Sequence, residues 1–244
     1  MVPSTAGLLT TIGYELGKDR GTVYALEGSV AIGGRLIQWL RDSLGLLDKA
    51  SDVEKFARKC DSAGEVTLVP AFQGLFAPYW RSDALASLSG MTLQAGKPEI
   101  CRAALEAVAF QVTDIINAMG KDGVPVTQLR TDGGMTQNSL LMQIQADLLN
   151  IPVAKAKMQE STALGAAIAA GLGAKVYGDL PEVKQICMSK YGYEMYQPGM
   201  ESRTREGHMA RWKKAVRKTY DGPEEASSKK NKDKDGNPCL RACM

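Results

Sequence analysis

Two stretches of this chain place an amide side chain four residues after a glycine. One reads Ile32-Gly33-Gly34-Arg35-Leu36-Ile37-Gln38, and the other reads Asp132-Gly133-Gly134-Met135-Thr136-Gln137-Asn138. A glycine lets the backbone approach a ligand closely and tolerates positive φ. At a helix start, unpaired N–H groups and the positive end of the dipole attract phosphate. An amide one turn later lies on the same helix face. Two such starts converging on one cleft could hold a nucleotide, its phosphates on N–H groups and its sugar or base on amides. The candidate nucleotide-binding residues are therefore Gly34, Gln38, Gly133, Gly134 and Asn138. The blander alternatives are a ligand-free strand-to-helix turn and, for Gln38, a surface glutamine beside Trp39.

The elements that would position these residues alternate between strand and helix. Leu8–Tyr14 and Thr22–Leu26 read as an antiparallel strand pair. A helix is expected over Gly34–Leu47, with Leu36, Ile37, Leu40, Leu44 and Leu47 on one face, and a more polar surface helix over Asp48–Cys60. Val66–Phe72 and Leu85–Met91 are strand candidates around an aromatic loop, Phe76 to Trp80. The clearest helix runs from Pro98 to Met119, with Leu105, Val108, Val112, Ile115, Ile116 and Met119 at core spacing. An extended run, Pro125–Thr131, feeds the Asp-Gly-Gly turn, and a helical pattern continues through Leu149 before Pro152. Val153–Lys157 is a short strand. Ser161 is an N-cap candidate for a helix of small residues in which Gly165 is expected to serve close packing. A short helix within Leu180–Tyr196 and a final helix, Glu201–Tyr220, complete the pattern. Trp212 is expected to face inward and the basic side chains outward. Such alternation implies an α/β fold with helices covering a mixed sheet.

Composition narrows the class. The chain has 244 residues, 44% hydrophobic and 23% charged, with a net charge of +3. That charge is too small to argue for nucleic acid. The longest apolar run, 163–173, is too short to span a bilayer, and no secretory signal is read at the N-terminus. The five scattered cysteines argue against a disulfide framework and fit a reducing, cytoplasmic setting. No zinc pattern is completed by Cys239, Cys243 and the single histidine, His208. Residues 1–220 are expected to form one domain, and 221–244, rich in lysine and aspartate, a disordered polar tail.

Several ordered matches resemble the C-terminal half of glycerol kinases, in the FGGY group of carbohydrate kinases. They include Gly7–Ile12, Tyr24–Gly28, Ile37–Asp42, Pro70–Phe72, Ala77-Pro78-Tyr79-Trp80, Asp132-Gly133-Gly134, Thr162–Ala167 and Trp212–Ala215. The resemblance covers roughly residues 7–220. It implies a ribonuclease-H-like domain of the actin and hexokinase class. It also implies ATP with Mg²⁺ as cofactors, and Gly34, Gln38, Gly134 and Asn138 as nucleotide contacts. The implied reaction transfers the γ-phosphoryl group of ATP to a terminal hydroxyl of glycerol, giving sn-glycerol 3-phosphate. Partners would be ATP or ADP and glycerol, the latter mainly through a preceding domain, with room for a homo-oligomer.

The family's catalytic aspartate, its glycerol-binding side chains and its phosphate-binding Thr-Gly loop all lie upstream of the matched residues. No residue here is assigned as catalytic or as a metal ligand. Arg81 to Ala86 depart from the family pattern after Tyr79-Trp80, as do Gln73 and Phe76. Two expectations follow. The chain is the nucleotide half of a glycerol kinase from a truncated record, inactive alone and exposing an apolar face. Alternatively, it is a short non-catalytic nucleotide-binding or interaction module.

Overall fold

The computed structural model describes residues 3–17, 21–158 and 160–220. The expected tail, 221–244, with Cys239 and Cys243, lies outside the described residues.

The organising element is helix α3, Lys97–Lys121. Pro98 occupies its first turn, and the Gly96 N–H donates to Glu99 Oε2 at 2.8 Å, so the helix start is satisfied by its own side chain. Alanines at 103, 104, 107 and 109 leave room for neighbours on every side, and all four are buried. Against α3 pack α2 (Asp52–Ala57), α4 (Ser139–Leu149) and β3 (Thr67–Val69). The helix is therefore enclosed rather than amphipathic, and polar groups are buried along it. Each of these is tied down: Glu106 accepts from Arg102 Nε at 2.9 Å, and Gln145 Nε2 of α4 donates to the Ala109 carbonyl at 3.2 Å. Asp114 accepts from Tyr79 Oη at 2.8 Å and from Trp212 Nε1 at 2.6 Å.

Trp212 lies on the final helix, α7 (Ser202–Lys218), and is fully buried, stacked on Phe110 with ring centroids 5.1 Å apart. The inward tryptophan and outward basic face of this helix are as the sequence implies. Tyr79 belongs to the aromatic loop. Despite its departures from the family pattern, that loop is closed by a reciprocal pair of backbone bonds between Leu75 and Arg81, each 2.8 Å.

Among the described residues the strands form three sheets. β1 (Leu9–Glu15) and β2 (Thr22–Glu27) pair antiparallel, as do β3 and β4 (Ser87–Ser89). The third sheet is mixed: β5 (Leu129–Thr131) runs parallel to β6 (Val153–Ala156), which pairs antiparallel with β7 (Tyr193–Tyr196). β7 was not foreseen as a strand. The β1–β2 pair leaves Ile12, Tyr14 and Tyr24 exposed.

Three local expectations need correction. Helix α1 spans Arg35–Asp42 and does not reach Leu47, because Gly45 at φ +61° turns the chain; Leu47 is buried but Leu44 is exposed. Ser161 is the first residue of α5 (Ser161–Gly173), whose N-cap is Glu160. Gly165 is not a packing glycine, since a Cβ built there meets nothing within 4 Å. Between α5 and β7, α6 (Leu180–Lys190) starts on Asp179, whose side chain accepts the Glu182 N–H.

Candidate functional site

The two glycine starts are built differently. At the first, Gly34 is itself helical, and the Leu36 and Ile37 N–H groups already bond to the Gly33 and Gly34 carbonyls at 3.0 and 3.1 Å. No acceptor among the described residues meets the N–H groups of Gly34 and Arg35. At the second, β5 delivers Gly133 at φ +87° and ψ 176°, a conformation that a side chain would strain. One 3₁₀ turn follows, Gly134–Gln137, closed by Thr136, whose N–H and hydroxyl both donate to the Gly133 carbonyl. The N–H groups of Gly134 and Met135 likewise meet no acceptor among the described residues.

Asn138 corrects the sequence reading. It does not sit one turn inside a helix opened by Gly134. Its backbone is extended, and its Oδ1 accepts the Leu141 N–H at 2.9 Å, making it the N-cap of α4. A short amide competes for exactly such backbone donors, which is why asparagine favours caps over helix interiors. The NH₂ of Asn138 is left wholly free for a ligand. Gln38 is constrained in the same sense, because its Oε1 accepts from Arg35 Nη1 at 3.0 Å.

These pieces converge. Gly34, Gln38, Gly134 and Asn138 all line one cavity of about 420 Å³, a volume within the usual range for small-molecule sites. Gly34 faces Met135 across it: a Cβ on Gly34 would lie 3.3 Å from Met135 Cγ. Gly133 does not line the cavity; it shapes the turn that presents Gly134. The apolar part of the wall comes from Ile37 and from Ala50 and Val53 on the α2 side.

Glu54 of α2 was missed by the sequence reading, which placed that helix at the surface. Glu54 lines the cavity, and its Oε1 accepts from Arg58 Nη2 at 2.6 Å, Ser139 Oγ at 2.8 Å and the Leu140 N–H at 3.2 Å. Burial would raise this carboxyl, but hydrogen bonds from Ser139, Arg58 and the Leu140 N–H outweigh it and hold the group below its ordinary range. At the start of α4 the Leu140, Leu141 and Met142 N–H groups are therefore taken by Glu54 and Asn138 and are not free for phosphate. Free donors remain at the two glycine starts. Only the Asn138-Ser139 pair ahead of two leucines signals this cap in the sequence. Among the described residues, no group of three or more His, Cys, Asp or Glu side chains could hold a metal ion.

A layered α/β chain whose glycine turns and amides surround one cavity matches a defined class. Residues 1–174 match the C-terminal domain of the FGGY family of carbohydrate kinases, and the chain belongs to that family. Glycerol kinases are among its relatives. That of Renibacterium salmoninarum is 50% identical over 226 residues, 92% of this chain and 44% of the relative. That of Roseiflexus sp. is 48% identical over 222 residues, 90% of this chain and 44% of the relative. The crystal structure of Plasmodium falciparum glycerol kinase with ADP superposes with a TM-score of 0.82 at 38% identity, covering 90% of this chain and 43% of that one. The chain thus spans less than half the length of the curated relatives it matches.

Proposed function

We propose that this chain is the nucleotide-binding half of a glycerol kinase and that the cavity between α1, α2 and the Gly133-Gly134 turn holds ATP or ADP. The observation that carries the reading is the convergence of Gly34, Gln38, Gly134 and Asn138 on one cavity. Free N–H groups at Gly34, Arg35, Gly134 and Met135 suit phosphate oxygens. The amide NH₂ groups of Gln38 and Asn138 suit ribose or base acceptors, and Gly133 shapes the turn. The Plasmodium falciparum relative was crystallised with ADP, which supports the same class of ligand.

The reaction this half serves is transfer of the ATP γ-phosphoryl group to glycerol, giving sn-glycerol 3-phosphate and ADP. Such transfer depends on positioning and charge neutralisation. Mg²⁺ would neutralise the phosphates. The described residues offer that ion no cage of carboxylates, so phosphate oxygens and water would hold it. We assign no general base and no glycerol ligand to this chain. Residues 1–220 are treated as one domain, since β7 and the buried Trp212 beyond the family match complete its sheet and core. A cytoplasmic setting accords with the free thiols of Cys60, Cys101 and Cys187.

The test is a calorimetric titration of the purified 244-residue chain with ADP, alone and as the Gly34→Val variant. Valine would project a branched side chain against Met135 and into the cavity, and about tenfold or greater weakening is expected, a change of roughly 1.4 kcal/mol or more. Absence of ADP binding by the unaltered chain would refute the reading. Glycerol phosphorylation by the same preparation is expected to be undetectable.

A further inference from the structure

The β5–β6–β7 sheet has two unlike faces. Its register puts Leu129, Val153 and Tyr196 on the face that packs against the main core, together with the Lys155–Glu194 ion pair. Alternation turns Arg130, Ala154, Ala156 and Tyr193 to the other face. There a separate cavity of about 170 Å³ opens between the sheet, the start of α5 and α6. It shares no wall residue with the nucleotide cavity. We infer that it is a binding site for a small phosphate monoester, a reading independent of the nucleotide site.

Arg130 lies across the floor. Its strand and that of Tyr193 flank β6 on opposite sides, and neighbouring strands are about 4.8 Å apart. Yet the guanidinium carbon stands 5.4 Å from the centre of the Tyr193 ring. The arginine therefore crosses β6 on this face, where Ala154 and Ala156 offer only methyl groups in its way. Among the described residues it bonds only the neutral Gln128, Nε to Oε1 at 3.5 Å. Its two terminal nitrogens are left to grip an oxyanion side by side.

Charge identifies the ligand. Lys184 lines the cavity from α6 and makes no hydrogen bond or ion pair among the described residues. No Asp or Glu lines the cavity. The one acid of the three strands, Glu194, faces the opposite side, where Lys155 holds it at 3.0 Å. Two cations gathered without a counter-ion favour an anion. Ser161, in the first turn of α5, adds a hydroxyl beside a positive helix end. Leu164 and Met188 supply apolar wall for a carbon chain. At this size, below the range usual for drug-sized ligands, the cavity admits a phosphate on a short chain and excludes a nucleotide.

The experiment is a calorimetric titration of the purified chain with glycerol 2-phosphate and, separately, with inorganic phosphate. The ester is expected to bind, and Arg130→Met and Lys184→Met should each weaken it about tenfold or more, the loss of one charge-assisted contact. Both residues are exposed, so neither change disturbs the core. Lys155→Met removes a cation from the opposite face and should leave the affinity unchanged, as should Gly34→Val, which obstructs the nucleotide cavity. Inorganic phosphate gains nothing from the apolar wall and should bind more weakly; equal binding would overturn the assignment to an ester. No binding of the ester, or an affinity that falls in Gly34→Val but not in Arg130→Met, would overturn the site itself and leave the nucleotide reading standing.

Discussion

Helices α3 and α5 are both rich in alanine, yet one is enclosed and the other buries no residue at all. Alanine lets a neighbour come close; it does not supply the neighbour. In α3 the small side chains are interleaved with Leu105, Phe110 and Ile115, and polar groups tie it to its surroundings: Gln145 from α4, Tyr79 from the aromatic loop, Trp212 from α7. In α5, Leu164 and Ile168 are only half-buried, and the alanines between them are exposed. Close packing in this chain thus follows from bulky knobs and satisfied polar ties, with small residues permitting them.

The contrast is broken most severely at Trp212. Truncating it to alanine removes the ring stacked on Phe110 and leaves Asp114 without its indole donor in the core. We expect a loss of about 3–5 kcal/mol by denaturant unfolding, the usual cost of a large-to-small change at a buried aromatic. A loss under about 1 kcal/mol would mean that α7 is not part of the core that encloses α3.

A smaller, signed effect tests the polar tie. Burial pushes the Asp114 carboxyl above its ordinary value, and hydrogen bonds from Trp212 and Tyr79 offset only part of that. The folded state therefore keeps this proton to higher pH than the unfolded chain does. Its contribution to stability is fully present below the unfolded value, near ~4, and is lost as pH rises through the folded value. Asp114→Asn retains an acceptor but cannot ionise. The stability of the native chain relative to this variant should therefore decline from about pH 4 upward and then level off. Thermal or denaturant melts of both chains across that range would show it. A difference rising with pH would mean that Asp114 is stabilised as an anion, and a flat one that folding does not shift this carboxyl.

The same contrast explains what the sequence could and could not show. The limits of α3 were legible because Pro98 marks its start and its apolar spacing is long. Its enclosure was not, because the partners that bury Ala103 or Glu106 come from distant segments: the Glu106 carboxylate accepts the Ala63 N–H, 43 residues away. Strand β7 is four residues long and acquires its identity only by pairing with β6. At the site, the glycines were legible from type and spacing. Both amides line the one cavity, but capping took a bond from the Asn138 oxygen that spacing had left free. Glu54 was hidden because its ties to Ser139 and Leu140 span more than 80 residues.

The finest probe is Gly165. It lies inside α5, where glycine is less favourable than alanine, and a Cβ there meets nothing within 4 Å. On the arrangement described, Gly165→Ala adds helix propensity without a clash and should stabilise the chain by roughly 0.5–1 kcal/mol. If the variant instead loses stability, some surface approaches α5 to within a methyl group's width. Its composition would then have the same explanation as that of α3, and the difference between the two helices would disappear.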